Sequence, residues 1–197
     1  MPMGFTVYDA NFSPIELRFQ PNPETIGLAL AGRQMAAYVL GNLNLLAEGL
    51  AAPSANLPPE FRFQGLLALG RAKDAIQDPS LQQILQGPWQ MLCLSISLRA
   101  EGEAAEAEQY RQKACAGLDC VGRNGRRAAE LLRRAKPPGL REFDEVVAEP
   151  SAKALLAIAL AWQFSAERAT FAARARQLAV SRMPPYLLVQ KALAWLP

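Results

Sequence analysis

The chain has no histidine among its 197 residues, and this absence removes the commonest catalytic arrangements. Without an imidazole there is no Ser-His-Asp or Cys-His nucleophile and no histidine metal ligand. The cysteines Cys93, Cys115 and Cys120 match neither a zinc site nor a disulfide framework in their spacing, which favours a reducing compartment. Cys93 lies in an apolar helical stretch and is expected in the core. Cys115 and Cys120 lie near basic residues that could lower a thiol pKa, but ordinary exposed thiols are the favoured interpretation.

Two glycine-containing stretches are candidates for binding phosphate. Gly65 to Gly70 encloses apolar residues and is followed by Arg71, whereas a phosphate-binding loop requires a Lys-Ser/Thr pair there. We interpret it as the interior of a helix. Gly122 to Gly125 could cradle an anion at the start of the next helix, because backbone amides are unpaired at that position. An ordinary turn is the favoured interpretation.

The acidic residues form surface patterns and do not form a paired acid and base. Glu103, Glu106 and Glu108 begin a helix whose far end is basic, an arrangement that the helix dipole stabilises without any function. The sequence therefore predicts a protein that is not an enzyme, with no catalytic, cofactor-binding or metal-ligating residue and no cofactor.

Basic residues are concentrated between Arg111 and Arg141, where nine of them face two acidic residues, a local excess of seven positive charges within a chain of net charge +3. Arg126 and Arg133, like Arg127 and Arg134, are seven residues apart and therefore share one helix face. Three interpretations stay open: a solvated or internally matched face, a docking site for an acidic protein, and a nucleic-acid contact.

Composition and patterning predict an all-α fold with a short extended arm. About half of the chain, 51%, is hydrophobic, which is enough to bury a substantial core. Apolar residues alternate in the first 24 residues, predicting an extended arm or β-hairpin over 1–24, and residues 25–197 are expected to form a helical domain with a sub-boundary near 137–150. The longest apolar run, Ala154 to Trp162, is too short to span a membrane, and the first residues lack the features of a signal peptide. We expect a cytoplasmic protein without a membrane segment.

Proline and glycine punctuation divides the helical part into segments with short loops, which favour antiparallel neighbours. A first helix is expected from Thr25 to Ala52. Further helices are expected at about 60–76, 80–86, 88–100, 103–117, 126–135, 151–164, 166–182 and 185–195.

Two of these helix pairs share one spacing of small residues. The spacing of Ala107, Ala114 and Asp119 is repeated 65 residues later by Ala172, Ala179 and Pro184. The preceding helices carry the apolar and small sets Met91, Leu94, Ser95 and Leu98, and Leu156, Ala159 and Leu160, with Gly102 at the first turn. In these positions the chain resembles the tetratricopeptide type of helical repeat, over about a third of its length. Arg111 and Arg176 stand where that family has a large aromatic residue.

The resemblance implies antiparallel helical hairpins that stack into a right-handed superhelix, and the alternative architecture is an irregular helical bundle. It also implies a protein-protein interaction module, such as an adaptor, chaperone or assembly factor, that holds an acidic or apolar partner segment. The alternative function is a regulatory protein that binds nucleic acid through the Arg111 to Arg141 region. A homo-oligomer stays open.

The residues expected to bind a partner are the arginines on the basic face and one tryptophan near the chain end. They are Arg111, Arg126, Arg127, Arg133, Arg134, Arg176 and Trp195. Trp195 belongs to an apolar C-terminal stripe, which is expected either to cap the last hairpin or to offer a groove or dimer surface.

Overall fold

The computed structural model describes residues 3–8, 14–19, 32–33, 35–51, 58–179 and 186–196. Its fold is all-α, as the sequence predicts. Within the N-terminal arm, strands β1 (Met3–Tyr8) and β2 (Pro14–Phe19) pair antiparallel, with Met3 opposite Phe19 and Tyr8 opposite Pro14.

Helices form most of the remaining described chain. They are α1 (35–40), α2 (Leu43–Ala51), α3 (Pro59–Ala68), α4 (Ala72–Gln77), α5 (Pro88–Ala100), α6 (Ala104–Cys120), α7 (Arg123–Arg133), α8 (Leu140–Asp144), α9 (Pro150–Gln163), α10 (Arg168–Leu178) and α11 (Tyr186–Trp195). Two short 3-10 turns, Pro79–Leu81 and Ile84–Gln86, connect α4 to α5.

Proline and glycine set the helix ends for separate physical reasons. Pro59, Pro88 and Pro150 are the first residues of α3, α5 and α9, where the missing N–H would have had no partner within the helix. Gly102 ends α5 with a φ of 87°. Its N–H donates to the carbonyl of Arg99, and the next N–H, of Glu103, donates to that of Leu98. This pairing closes α5 and turns the chain directly into α6.

Four predicted segments are divided or shorter than expected, and one of them is the predicted 166–182 helix, which spans only Arg168–Leu178 as α10. The predicted 60–76 helix is interrupted at Gly70, which has a φ of 69° and ends α3, so Gly70 is a helix end and not part of a helix interior. Gly41, also at 69°, separates α1 from α2 within the predicted first helix, whose start near Thr25 lies outside the described residues. The predicted 80–86 helix consists of the two 3-10 turns. Gly41 and Gly70 end helices because they adopt a left-handed backbone conformation. The apolar pattern of the sequence continues across both glycines and therefore did not indicate these helix ends.

Small residues lie where helices pack most extensively, between α5 and α6 and between α9 and α10. On α6, Ala107 and Ala114 are buried. On α10, Ala172 is buried, while Ala179 lies just after the helix end and is half-buried. Methyl side chains permit this close approach of helix backbones. Pro184, the last element of the repeated spacing, lies outside the described residues.

Alternate helices α3, α5, α7 and α9 run in one direction. Gln64 of α3 contacts Cys93 of α5, and one turn further along both helices the Ser97 hydroxyl donates to the carbonyl of Leu67. Helix α6 packs against both α5 and α7 through short turns, so α7 again runs parallel to α5. The first turns of α5 and α9 line one cavity and their later turns line another. The amino ends of these four helices therefore lie at the same end of the molecule.

The buried apolar side chains form one cluster that extends from Ala37 to Ala192. Tyr38 and Phe61 meet edge to face with ring centroids 5.4 Å apart, and Phe143 meets Phe171 in the same way at 5.9 Å. In the part of the chain that the structure describes, every helix is too short or too polar to cross a bilayer. The division of the chain near residue 24 and near 137–150 stays a prediction.

Candidate functional site

One cavity, which we name the first-turn cleft, lies where the amino ends of α3, α5, α7 and α9 meet. Its volume is about 390 Å³, which is within the range of small-ligand sites in proteins. Each helix contributes residues of its first turns: Glu60 and Gln64, Trp89 and Cys93, Asn124 and Gly125, and Ser151, Ala152 and Leu155. Gln90, Val121, Val147 and Glu149 also line the cleft.

Gln64 is the buried polar group of this cleft. Its side chain is 2% exposed, and its amide N–H groups donate to Glu60 Oε1 at 3.3 Å and to Cys93 Sγ at 3.7 Å. Its Oε1 has no hydrogen-bond partner within the described part of the chain. A buried oxygen without a donor costs free energy, and Gln64 is among the residues that line the cleft, so its amide is a polar group of the cleft that lacks a donor.

Cys93 lies beside Gln64 and is buried, as predicted. Burial raises the pKa of its thiol to about 12, while the amide of Gln64 and the backbone partly oppose this shift. The thiol is therefore protonated at neutral pH and is not a nucleophile.

The other two cysteines differ from each other. Cys120 is exposed, as expected, but Cys115 is buried and the prediction of exposure is wrong for it. Together with Ala107, Ala114 and Leu118, Cys115 falls on the one face of α6 that packs into the protein. Burial raises the pKa of the Cys115 thiol above its usual range, although Arg111 and Arg133 nearby oppose this.

Gly125 has a packing role at the edge of the cleft. A Cβ atom built at this residue would lie 2.4 Å from the carbonyl oxygen of Leu118, in the last turn of α6. Helix α7 starts at Arg123, so only Val121 and Gly122 form the connection between α6 and α7. The lack of a side chain at Gly125 thus permits α7 to approach α6. Because Arg123, Asn124 and Gly125 form the first turn of α7, the prediction of an ordinary turn over Gly122 to Gly125 is wrong for these three residues.

A second, smaller cavity lies between the later turns of α5 and α9 and the start of α6, and we name it the α5–α9 groove. Its volume is about 170 Å³, and it is lined by Ser95, Ile96, Arg99, Glu108, Arg111, Ala159, Trp162 and Gln163. Trp162 Nε1 and Gln163 Oε1 are both buried and have no hydrogen-bond partner among the described residues. The Arg99 guanidinium lies 5.7 Å from the centre of the Trp162 ring, within the range of a cation–π contact.

Arg111 is the predicted partner-binding residue that lies in this groove. Its guanidinium donates to both carboxylate oxygens of Glu108, at 2.7 and 2.6 Å, and to the carbonyl of Leu132 at 2.5 Å. This hydrogen-bonded pairing lowers the pKa of Glu108 and raises that of Arg111. Arg111 is half-buried and its charge is matched.

Two more of the predicted arginines are paired within the protein. Arg133 donates to both oxygens of Asp119, and Arg134 to both oxygens of Glu142. These bonds lower the pKa values of Asp119 and Glu142. The basic region is therefore partly neutralised by carboxylates from neighbouring segments. Arg134 follows the end of α7 with an extended backbone, so the prediction that it shares a helix face with Arg127 is wrong.

Arg126, Arg127 and Arg176 have no ion-pair partner within the described residues, and Arg126 and Arg176 are exposed. Arg176 lies on α10, whereas Arg126 and Arg127 lie on α7. The seven predicted residues do not converge on one surface feature that the structure delineates.

Protein-family models, curated protein sequences and solved structures were compared with this chain, and none matches.

Sequence patterns identified Arg111, Arg127 and Arg134, which line cavities, but not the other polar residues that the structure places in the first-turn cleft and the α5–α9 groove. Gln64, Arg99 and Gln163 carry only weak signals, the clearest being a glutamine within the apolar stretch from Phe61 to Leu69. Trp195 is half-buried and packs against the core cluster at the end of α11. Among the described residues no three carboxylates or thiols lie close enough together to hold a metal ion.

Proposed function

We propose that the protein is a non-enzymatic binding module, an adaptor, chaperone or assembly factor, that holds a partner protein segment against its helical hairpins. The segment would place a carboxylate and adjoining apolar side chains in the α5–α9 groove. The exposed arginines of α7 and α10 would attract acidic residues further along the same partner.

The observation that carries this proposal is the buried indole N–H of Trp162, a donor without an acceptor in the described chain. Arg99 lies next to it and has no ion-pair partner among the described residues, whereas Arg111 is matched by Glu108. The groove thus has a spare donor and an excess positive charge. A carboxylate supplies both the acceptor and the opposite charge.

A protein partner fits the charge arrangement better than nucleic acid does. Arg133 and Arg134 are held by Asp119 and Glu142, so they are less available to contact successive phosphates. The free thiols of Cys93, Cys115 and Cys120 support a reducing compartment such as the cytoplasm.

A peptide-binding experiment tests the proposal. Three fluorescent peptides share one apolar sequence and end in four glutamates, four glutamines or four lysines, and their binding to the full chain is followed by anisotropy. We expect the glutamate peptide to bind at least tenfold more tightly than the lysine peptide. Trp162→Phe replaces the indole by a smaller ring that has no N–H donor, and it is expected to weaken this binding about tenfold, because a hydrogen bond to a charged group contributes about 1.5–3 kcal/mol.

Arg123→Glu is the matched control for Arg99→Glu, since Arg123 is exposed at the start of α7 and lies outside the groove. Arg99→Glu is expected to abolish the preference for the glutamate peptide, and Arg123→Glu to retain it. Equal losses in both variants, or equal binding of all three peptides, would contradict the proposal. Tight binding of a single-stranded RNA or a DNA duplex with steep salt dependence would support the alternative function instead.

A further inference from the structure

We infer that the first-turn cleft binds a small amphiphilic cation, a protonated primary amine carried on an apolar body. This site lies at the opposite ends of α5 and α9 from the α5–α9 groove, so the inference does not rest on the proposed function. The ligand is defined by three properties of the cleft: a buried acceptor, a negative charge beside it, and apolar walls.

The buried acceptor is Gln64 Oε1. The orientation of this amide is determined by its neighbours, because the carboxylate of Glu60 accepts from Nε2 and would repel the oxygen in the flipped arrangement. Nε2 also reaches Cys93 Sγ, so the amide N–H groups are engaged and the oxygen remains. A ligand that satisfies this oxygen must bring an N–H or O–H donor.

The charge beside this oxygen is negative. Glu60 and Glu149 both line the cleft, and none of its described lining residues is lysine or arginine. Since Glu60 contacts Gln64 directly, a positively charged donor at Oε1 would also be attracted by that carboxylate. A primary ammonium group carries up to three N–H donors and the required charge.

Helix dipoles at this end of the molecule create a positive potential that favours anions. Two carboxylates at the helix ends partly neutralise that potential. Glu149 accepts from the N–H groups of Ser151 and Ala152 and caps α9, while Glu60 lies in the first turn of α3. The first turns of α5 and α7 contain no acidic residue. An anion at those two helix ends would leave Gln64 Oε1 without a donor and would face both carboxylates, so the cation is favoured.

The walls give the body of the ligand its chemistry. Trp89, Val147 and Leu155 line the cleft from three different segments, and Trp89 is half-buried, so that it can contact a bound molecule. An aromatic ring or a short aliphatic chain attached to the amine would cover this apolar surface.

Three probes of nearly equal size test the inference with the full-length protein. They are phenethylamine, 2-phenylethanol and 3-phenylpropionate, which are cationic, neutral and anionic at pH 7. Binding is measured by calorimetry and by the shift of the Trp89 indole N–H signal in NMR spectra, assigned with Trp89→Phe. We expect phenethylamine to bind at least tenfold more tightly than 2-phenylethanol, and 3-phenylpropionate to bind most weakly.

Two variants localise the binding. Gln64→Met removes the acceptor and Glu60→Gln removes the charge, and each is expected to weaken binding of the amine at least fivefold. Glu130→Gln, an equal charge change on the exposed face of α7, is the control and should leave it unchanged. Circular dichroism verifies that each variant is folded, and Glu60→Gln provides the test if Gln64→Met is not. Absence of amine binding, equal or tighter binding of the anion or alcohol, or unchanged affinity in a folded cleft variant would overturn the inference.

Discussion

Gln64 and Cys93 are joined across α3 and α5 by a hydrogen bond from the amide Nε2 to Sγ, at 3.7 Å. The same nitrogen also donates to Glu60, so the two contacts hold the amide in one orientation. One consequence is that Oε1 stays unpaired in the described chain. The Cys93 thiol itself stays protonated at neutral pH because burial raises its pKa, although the hydrogen bond from Gln64 partly opposes this shift.

The first prediction concerns the free energy of unfolding of Gln64→Met. Removing a buried oxygen without a donor relieves a cost of about 1–3 kcal/mol, and this offsets the loss of weak bonds to Glu60 and Cys93. We therefore expect the variant, without ligand, to be as stable as the parent or more stable by about 1 kcal/mol. Urea unfolding followed by circular dichroism measures this difference.

Gln112→Met is the control for Gln64→Met, because Gln112 is exposed on α6 and bonds only to Glu108 in the described structure. Its stability is expected to change by less than about 0.5 kcal/mol. A loss of more than about 2 kcal/mol in Gln64→Met, in the upper range of ordinary point mutations, would indicate that the amide is a structural element of the core. It would then not be a group held ready for a ligand.

The second prediction is an order of reactivity for the three cysteines. Cys120 is exposed, whereas Cys93 and Cys115 are buried and burial raises the pKa values of their thiols. At pH 8 we expect iodoacetamide to modify Cys120 first, and the other two only when the chain unfolds. Peptide mass spectrometry at successive times measures each rate. Cys120→Ser should abolish the fast phase, and modification of Cys93 in the folded protein at a comparable rate would contradict the packing described for α3 and α5.

The third prediction is the pH dependence of stability. Arg111 lowers the pKa of Glu108, and Arg133 and Arg134 do so for Asp119 and Glu142. A carboxyl with a lowered folded-state pKa stabilises the fold above its unfolded pKa of about 4, and this stabilisation is lost as pH falls through the folded value. Because there is no histidine, no side chain of ordinary pKa titrates between about pH 5.5 and 7. We expect constant stability in that window and a decline below about pH 5.

Two comparisons identify the source of this decline. Glu108→Gln should reduce the acid sensitivity of the free energy of unfolding, since one of the shifted carboxyls is removed. Salt at about 1 M shortens the screening length to about 3 Å and should reduce the contribution of the exposed pairs, Arg133 with Asp119 and Arg134 with Glu142. A transition centred near pH 6.5 would not be explained by any of these pairs.

Local sequence signals predicted the fold well where they were strong. The bounds of α5 agree with the prediction because Pro88 starts the helix and Gly102 closes it. The same type of residue misled the prediction at Gly70, because a glycine inside an apolar pattern can lie within a helix or end it. Apolar periodicity continues across that break and does not distinguish the two cases.

The cavities could not be predicted from local patterns. The first-turn cleft brings Gln64 together with Leu155, residues far apart in the sequence, and it depends on how the intervening helices pack. The basic region was visible as composition, but the pairing of Arg133 with Asp119 depends on the approach of α7 to α6. Charge density alone therefore overstated how many arginines are available to a partner.

The last prediction concerns Gly125→Ala, which tests the contact that positions α7 at the first-turn cleft. The added Cβ would lie 2.4 Å from the carbonyl oxygen of Leu118 and 3.2 Å from Cβ of Val121, and the first of these is a backbone atom that cannot rotate away. Alanine favours a helix interior by about 1 kcal/mol over glycine, but overpacking typically costs about 1–3 kcal/mol and occasionally more. We therefore expect a net loss of stability and a lower melting temperature, by about 2–4 °C for each kcal/mol in a chain of this size.

Asn124→Ala is the matched control for Gly125→Ala, because Asn124 is exposed in the same helical turn and gains no new side-chain bulk. Thermal unfolding followed by calorimetry should show a change of less than about 0.5 kcal/mol for this variant. A Gly125→Ala protein as stable as the parent would mean that α7 can move away from α6 at little cost. In that case the cleft would not be a preformed site, and its ligand would have to select one position of α7.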